Sequence, residues 1–268
     1  MLVNGESGNL ISIRDRGLLY GDGVFRTLLV SNGQALHWPL HYKKLQHDCE
    51  ALGIDCPVFL RLSAELAGLL AQHPEGVFKL IVTRGLSQRG YAPFPHAAPS
   101  HLWDVSPLPV YPESWIVQGV TLRLCELRLG HQPRLAGIKH LNRLENVLAA
   151  AECLDVAEGL LLDQAGCVIE GVRSNVFMVI QGVLVTPDLS RCGVAGLQRE
   201  RVITYARQSG IVVEVRDVAL DELRSAEEVF LTNSVFGLWS VREFDGKCWS
   251  DFKLASLLRA VLAEDGRA

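Results

Sequence analysis

Apolar and polar positions along the chain recur at two periods, and the switches between them outline its elements. Val24–Val30 is β-branched and aromatic and follows a Gly-Asp-Gly turn, which predicts a strand; Asn32-Gly33 then marks a hairpin turn into Gln34–His37. Alternation places Phe25 and Thr27 on one face of that strand. Leu45, Cys49 and Leu52 recur at helical spacing between Pro39, which suits a first turn, and Gly53, which supplies a stop. Leu62, Leu66 and Leu69 predict a second helix over 58–72. Strands are expected at Gly76–Val82, His101–Val105 and Val120–Leu124, and Leu2–Val3 with Ile11–Ile13 reads as an opening hairpin.

Further on, Leu141, Leu144, Leu148 and Ala151 predict an amphipathic helix entered just after Lys139, with Glu145 and Glu152 among its polar positions. Short apolar runs at 159–163, 167–171, 174–179, 183–186, 212–215 and 228–231 predict strands. Helices are expected from Leu197 to about Ser209, near Ala219–Arg224 and over Asp251–Ala263. Pro107, Pro109 and Pro112 make a stiff, extended segment and the best domain boundary. The expected organisation is an N-terminal α/β domain over 1–108, a linker over 109–118 and a C-terminal domain over 119–268.

Composition narrows the class of protein without choosing an activity. The 268 residues, 49% hydrophobic and 21% charged, suffice for a substantial core. The net charge of -4 gives no electrostatic footprint for nucleic acid. Seven cysteines without a C-x-x-C pair read as reduced thiols of a cytoplasmic protein. The N-terminus lacks a signal-peptide pattern, and no apolar run approaches the roughly 20 residues of a membrane helix.

Several positions carry candidate chemistry. Lys139 follows the apolar approach Leu-Ala-Gly-Ile. Desolvation there would expose a nucleophilic amine suited to Schiff-base formation with an aldehyde cofactor; a solvated lysine before a helix is the plain alternative. Glu170 ends a short apolar strand, where an exposed carboxylate is the ordinary outcome. Gly193-Val194-Ala195-Gly196 precedes a helix, so free amides at a positive dipole end offer an anion site. Arg84 closes a strand and Arg89-Gly90-Tyr91 lies in the loop 86–100; either guanidinium could be solvated or could fork onto a carboxylate. His37 and His41 stand at i,i+4 without an evident third ligand, so no metal is expected. Repeats, a P-loop and a dinucleotide fingerprint are all missing.

Several of these stretches, in order, resemble one family. LAGIKHLNRLENVLA (135–149) and the Arg89-Gly90-Tyr91 wording resemble aminodeoxychorismate lyases, while DRGLLYGDGVFRTL (15–28), Glu170 with Ser174-Asn175-Val176-Phe177, the 193–199 turn and Thr232-Asn233-Ser234 resemble motifs of their wider family. Those enzymes belong to the fold-type IV pyridoxal-phosphate family, with branched-chain and D-amino acid aminotransferases. The resemblance implies an α+β, two-domain fold with a smaller N-terminal α/β-sandwich and a larger, barrel-like C-terminal domain that anchors pyridoxal 5'-phosphate. It implies catalysis by Lys139 and Thr27, with the cofactor held by Lys139, Glu170 at the pyridine nitrogen, and Leu197, Gln198, Asn233 and Ser234 at the phosphate. Phe25, Arg84, Arg89 and Tyr91 fall on the substrate side. In His41-Tyr42-Lys43-Lys44-Leu45 the chain departs from the family's H-x-x-R-L, so Lys44 replaces a phosphate-binding arginine with a point charge. The implied reaction converts 4-amino-4-deoxychorismate to 4-aminobenzoate and pyruvate for folate synthesis, with a fold-type IV aminotransferase as the alternative. A cytoplasmic homodimer acting on a small molecule is expected, without nucleic acid or membrane.

Overall fold

The computed structural model describes residues 1–93 and 97–264. It is an α+β structure of two compact units. The first comprises Met1–Pro109 and Ile138–Asn142; the second comprises Val110–Gly137 and Arg143–Ala268.

In the first unit, strands β1 (Leu2–Val3), β2 (Glu6–Ser7), β3 (Gly23–Ser31), β4 (Gln34–Ala35), β5 (Gly76–Thr83) and β6 (Ser100–Ser106) form a sheet in the order β2-β1-β6-β5-β3-β4. The opening hairpin therefore pairs Leu2–Val3 with Glu6–Ser7. Ile11–Ile13 forms no strand and Ile13 is exposed, because the turn at Asn4-Gly5 closes the hairpin earlier than the apolar pattern indicates. Besides a short α1 (Arg16–Tyr20), the unit has α2 (Trp38–Leu52), ended by left-handed Gly53, and α3 (Phe59–Gln72). Leu45 and Cys49 of α2 and Leu62, Leu66 and Leu69 of α3 pack on Val24, Leu28 and Val30 of β3 and Phe78, Leu80 and Val82 of β5. Fully burying a leucine such as Leu62 contributes roughly 1.5–3 kcal/mol. The opposite face of β3 carries Phe25, Thr27 and Leu29, all half-buried, in agreement with the alternation.

In the second unit, α4 (Glu113–Val117) lies inside the segment expected to be a linker. Its strands are β7 (Val120–Leu129), β8 (Glu158–Asp163), β9 (Val168–Gly171), β10 (Asn175–Ile180), β11 (Val183–Pro187), β12 (Val213–Arg216), β13 (Glu228–Asn233), β14 (Gly237–Phe244) and β15 (Lys247–Cys248). They follow the order β12-β11-β10-β13-β14-β7-β8-β9, with β15 on β14. The sheet curls until β9 approaches β10 and β11, a half-barrel. Its interior holds Leu160, Val176, Met178, Leu231 and Trp239. The helices are α5 (Leu144–Ala151), α6 (Leu197–Gln208), α7 (Leu220–Ser225) and α8 (Lys253–Glu264). Among the described residues no helix is long and apolar enough to cross a membrane.

The helix after Lys139 departs from expectation twice. It begins only at Leu144, and its predicted apolar stripe faces outward: Leu144 is 76% and Leu148 60% exposed, while Ala149 is buried. The later start has a local cause, since the backbone of 139–141 is engaged elsewhere.

Candidate active site

Strand β4 covers only the far end of β3, at Val30 and Ser31. The open edge at Gly23–Phe25 is filled by the segment 138–142. Phe25 N donates to Lys139 O at 2.9 Å, Leu141 N donates to Gly23 O at 2.9 Å, and Val24 bridges His140. Lys139 N donates to Asp48 Oδ2 of α2 at 3.0 Å. The Lys139 peptide is thus fixed through its backbone, and its Nζ lies 4.5 Å from the centroid of the Phe25 ring, a cation–π contact. Lys79 Nζ lies 4.9 Å from the same ring, and Lys79 pairs in register with Thr27. Phe25, Thr27, Lys79 and Lys139 therefore share one locality. Sequence reasoning missed Lys79, although alternation in Gly76–Thr83 turns it away from buried Phe78, Leu80 and Val82. Lys44 is half-buried on α2.

Arg84 is occupied differently from expectation. Its guanidinium donates to Asp22 Oδ2 at 2.8 Å and Oδ1 at 3.1 Å, and to the carbonyls of Leu52 at 2.7 Å and Gly53 at 2.5 Å. A fork spent on Asp22 and on the end of α2 is a structural clamp, not a free carboxylate receptor. Arg16, only 3% exposed, shares Asp22 and donates to Gly90 O at 3.1 Å and Tyr91 O at 2.6 Å. Tyr20 packs against Tyr91 with tilted rings, 5.3 Å between centroids. Arg16 and Tyr20 thereby hold the loop that presents Arg89 and Tyr91, both exposed; residues 94–96 of the loop 86–100 lie outside the described residues.

Burial would raise the Asp22 carboxyl, but hydrogen bonds and charge from Arg84 and Arg16 outweigh it and hold the group below the usual carboxylate range. A carboxyl lowered on folding adds stability at neutral pH that is lost as pH falls through its native value. Arg84→Ala is therefore expected to lower Tm at pH 7 by roughly 4–8 °C. It should also flatten the acid-side loss of stability below about pH 4, the ordinary aspartate range. Thermal melts between pH 3 and 7 check both; an unchanged melting curve would contradict the clamp.

In the second unit Glu170, 4% exposed on β9, accepts from Val194 N at 2.8 Å. Burial pushes the neighbouring Arg143 guanidinium down, and the Glu170 and Glu145 carboxylates pull it back. The turn 193–196 is shaped by Asn175, at the start of β10. Its Nδ2 donates to Val194 O at 2.7 Å and its Oδ1 accepts from Gly196 N at 3.1 Å. A Cβ on Gly196 would collide with that Oδ1, so only glycine fits. Gly196 caps α6 without a side-chain hydrogen bond, which leaves the amides at Leu197 and Gln198 for an anion. Arg199 anchors the helix inward on Thr186 Oγ1 and Pro187 O.

Asn175 also pairs in register with Thr232 of β13. Asn233 Oδ1 accepts from Val235 N and Phe236 N, both at 2.9 Å, and so folds the loop around Ser234. Thr232 Oγ1 is buried and makes no hydrogen bond, an orphan polar atom beside this loop. The roles of Asn175, Arg16 and Asp22 were not evident in the sequence; for Asn175 the signal was its place next to Ser174 in the Glu170 stretch. Separately, His131, Asp163 and Cys192 cluster, with His131 Nε2 2.8 Å from Asp163 Oδ2 and Arg191 3.8 Å from the same oxygen. Arg191, which pairs more closely with Asp217 at 2.5 Å, joins that group to an ion-pair network.

A buried carboxylate, an uncapped glycine turn before a helix and an orphan hydroxyl beside a second loop together fit the ring nitrogen and phosphate of pyridoxal phosphate.

A model of class IV amino-transferases matches residues 23–244. An aminodeoxychorismate lyase from Vibrio harveyi is 36% identical over 239 residues, covering 88% of this chain and 88% of that protein. A putative branched-chain-amino-acid aminotransferase from Methanocaldococcus jannaschii is 31% identical over 247 residues, covering 90% and 85%. The crystal structure of 4-amino-4-deoxychorismate lyase from Pseudomonas aeruginosa superposes with a TM-score of 0.94 at 47% identity, covering 98% of each chain.

Proposed function

The chain belongs to the class IV amino-transferase family, and from that premise we propose that it is a pyridoxal 5'-phosphate-dependent lyase converting 4-amino-4-deoxychorismate to 4-aminobenzoate and pyruvate. The observation that carries this reading is a lysine clamped by its own backbone, on Asp48 and on Phe25, in a segment whose wording resembles the lyases.

Lys139 would hold the cofactor aldehyde, Glu170 the ring nitrogen, and Leu197, Gln198, Asn233, Ser234 and Lys44 the phosphate. When bound, pyridoxal phosphate supplies an electron-accepting ring that stabilises negative charge at the carbon bearing the substrate amine. Lys139 Nζ takes the proton from that carbon. Glu170 keeps a proton on the ring nitrogen by its negative charge. Thr27 and Phe25 line the face on which the lysine works, and Lys79 adds a positive charge there for a substrate carboxylate. The C–O bond at the neighbouring carbon of the substrate then breaks with its electrons on the departing oxygen, the remaining ring becomes aromatic, and the enolpyruvate takes up one proton, balancing the one that Lys139 Nζ removed, to become pyruvate. Substrate recognition is assigned to Arg89 and Tyr91, with Arg84 moved to a supporting role.

An aminotransferase shares the proton-removal step, and the 31% identity to a putative aminotransferase keeps that reading in view. Product stoichiometry separates the two. With 4-amino-4-deoxychorismate generated in situ, 4-aminobenzoate and pyruvate are expected in equal amounts over many turnovers, with no added 2-keto acid. A requirement for the keto acid, with the cofactor cycling through its amine form, would establish the aminotransferase instead.

The protein is further proposed to be a cytoplasmic homodimer. Its seven cysteines are free thiols, which suits a reducing compartment. The outward apolar side chains Leu144, Val147, Leu148 and Leu154 suit a protein surface better than water.

A further inference from the structure

We propose that Arg26 and Asp48 are a positioning pair that holds the Lys139 peptide in place, an inference that rests on the reading of Lys139 as the cofactor lysine. Alternation puts Arg26 on the helix-facing side of β3, between Val24 and Leu28, which are fully buried. Arg26 is 2% exposed, and its guanidinium meets Asp48 of α2, itself fully buried, through Nη2 and Oδ2. Arg26 Nη2 also donates to Lys44 O at 3.3 Å. The same Asp48 oxygen accepts the Lys139 N–H at 3.0 Å. One ion pair therefore ties together β3, α2 and the segment 138–142.

An ion pair sealed from water is a poor device for stability alone, because the desolvation cost offsets its attraction and well-packed apolar residues of similar volume often do as well. Here the second oxygen, Asp48 Oδ1, is buried and accepts no hydrogen bond, so the arrangement is not tuned for stability. An apolar pair could not accept the Lys139 N–H. The β3 backbone holds the carbonyl of Lys139 from one side and Asp48 holds its N–H, so the two peptide units that flank the Lys139 Cα are both fixed; Nζ is thereby delivered over the Phe25 ring.

The test uses the full chain without cofactor, then with pyridoxal phosphate. Hydrogen exchange in the parent is expected to show the Lys139 amide protected on the order of 10³-fold over an exposed loop amide; exchange at loop speed overturns the proposal whatever the variants do. The double variant Arg26→Met/Asp48→Leu removes the acceptor without leaving a lone charge. It should melt within about 5 °C of the parent, exchange over 138–142 at least about tenfold faster with α3 unchanged, and bind pyridoxal phosphate about tenfold more weakly. Asp48→Asn, which keeps an acceptor oxygen, should exchange within about threefold of the parent and serves as the variant test should the double variant not fold; loss of protection there as large as in an exposed loop counts against the pair. Exchange and affinity of a folded double variant within about threefold of the parent also overturn it. Failure of the underlying reading looks different: borohydride would then fix the cofactor of the parent on a lysine other than Lys139, while the exchange data need no cofactor.

Discussion

Lys139→Ala is expected to leave a folded protein that cannot be fixed to its cofactor by borohydride and that turns over at least about 10⁴-fold more slowly than the parent. The magnitude follows from removing the covalent anchor and the general base together, since positioned proton transfer alone is worth roughly 10²–10⁴. Folding survives because the segment is held by the Lys139 N–H on Asp48 and the Lys139 carbonyl on Phe25, neither of which uses the side chain. Mass spectrometry after reduction reads the anchor, circular dichroism reads the fold, and 4-aminobenzoate release reads turnover. A phosphopyridoxyl adduct that persists in the variant would remove Lys139 from the chemistry.

Glu170→Gln is the second large effect, a loss of about 10²–10³ in kcat with the cofactor still retained. The glutamine carbonyl can still accept from Val194 N, as Glu170 Oε2 does at 2.8 Å, so the 193–196 turn and the amides at Leu197 and Gln198 keep their places. Only the negative charge is lost, and with it the proton held on the ring nitrogen, which is an electrostatic contribution of the size that one preorganised group supplies. Cofactor titration should change little while kcat falls. If kcat stays within about threefold of the parent, Glu170 serves only to shape the turn.

The elements with clean periodicity were legible from the sequence. The spacing of Leu45 and Cys49, and of Leu62, Leu66 and Leu69, gave α2 and α3 to within a residue or so, and the alternation of β3 gave the Phe25–Thr27 face. Strand β14 was not legible, because Ser240 and Arg242 interrupt its apolar run and only its pairing with β13 and β7 makes it a strand. Helix α5 was read inside out: periodicity identifies an apolar stripe but not what the stripe faces. Arg84 failed for a related reason. A guanidinium at a strand end has the same local sequence whether its carboxylate partner is a ligand or Asp22, 62 positions earlier. The Arg26–Asp48 pair was equally hidden, since a charge on the buried side of a strand looks like a break in pattern until a helix brings its partner.

The path of the chain through the two units has a consequence for how the protein is made. The first unit is left at Pro109, and its last five residues, Ile138–Asn142, arrive only after Val110–Gly137 has been laid down in the second. During synthesis at roughly 5–20 residues per second, the open edge of β3 at Gly23–Phe25 and the Asp48 carboxylate wait on the order of seconds for their partners to leave the ribosome. An unpaired strand edge beside a buried charge is a point of exposure to other nascent chains. The segment that arrives last carries Lys139, so the N-terminal unit completes its own fold and acquires its amine in the same event.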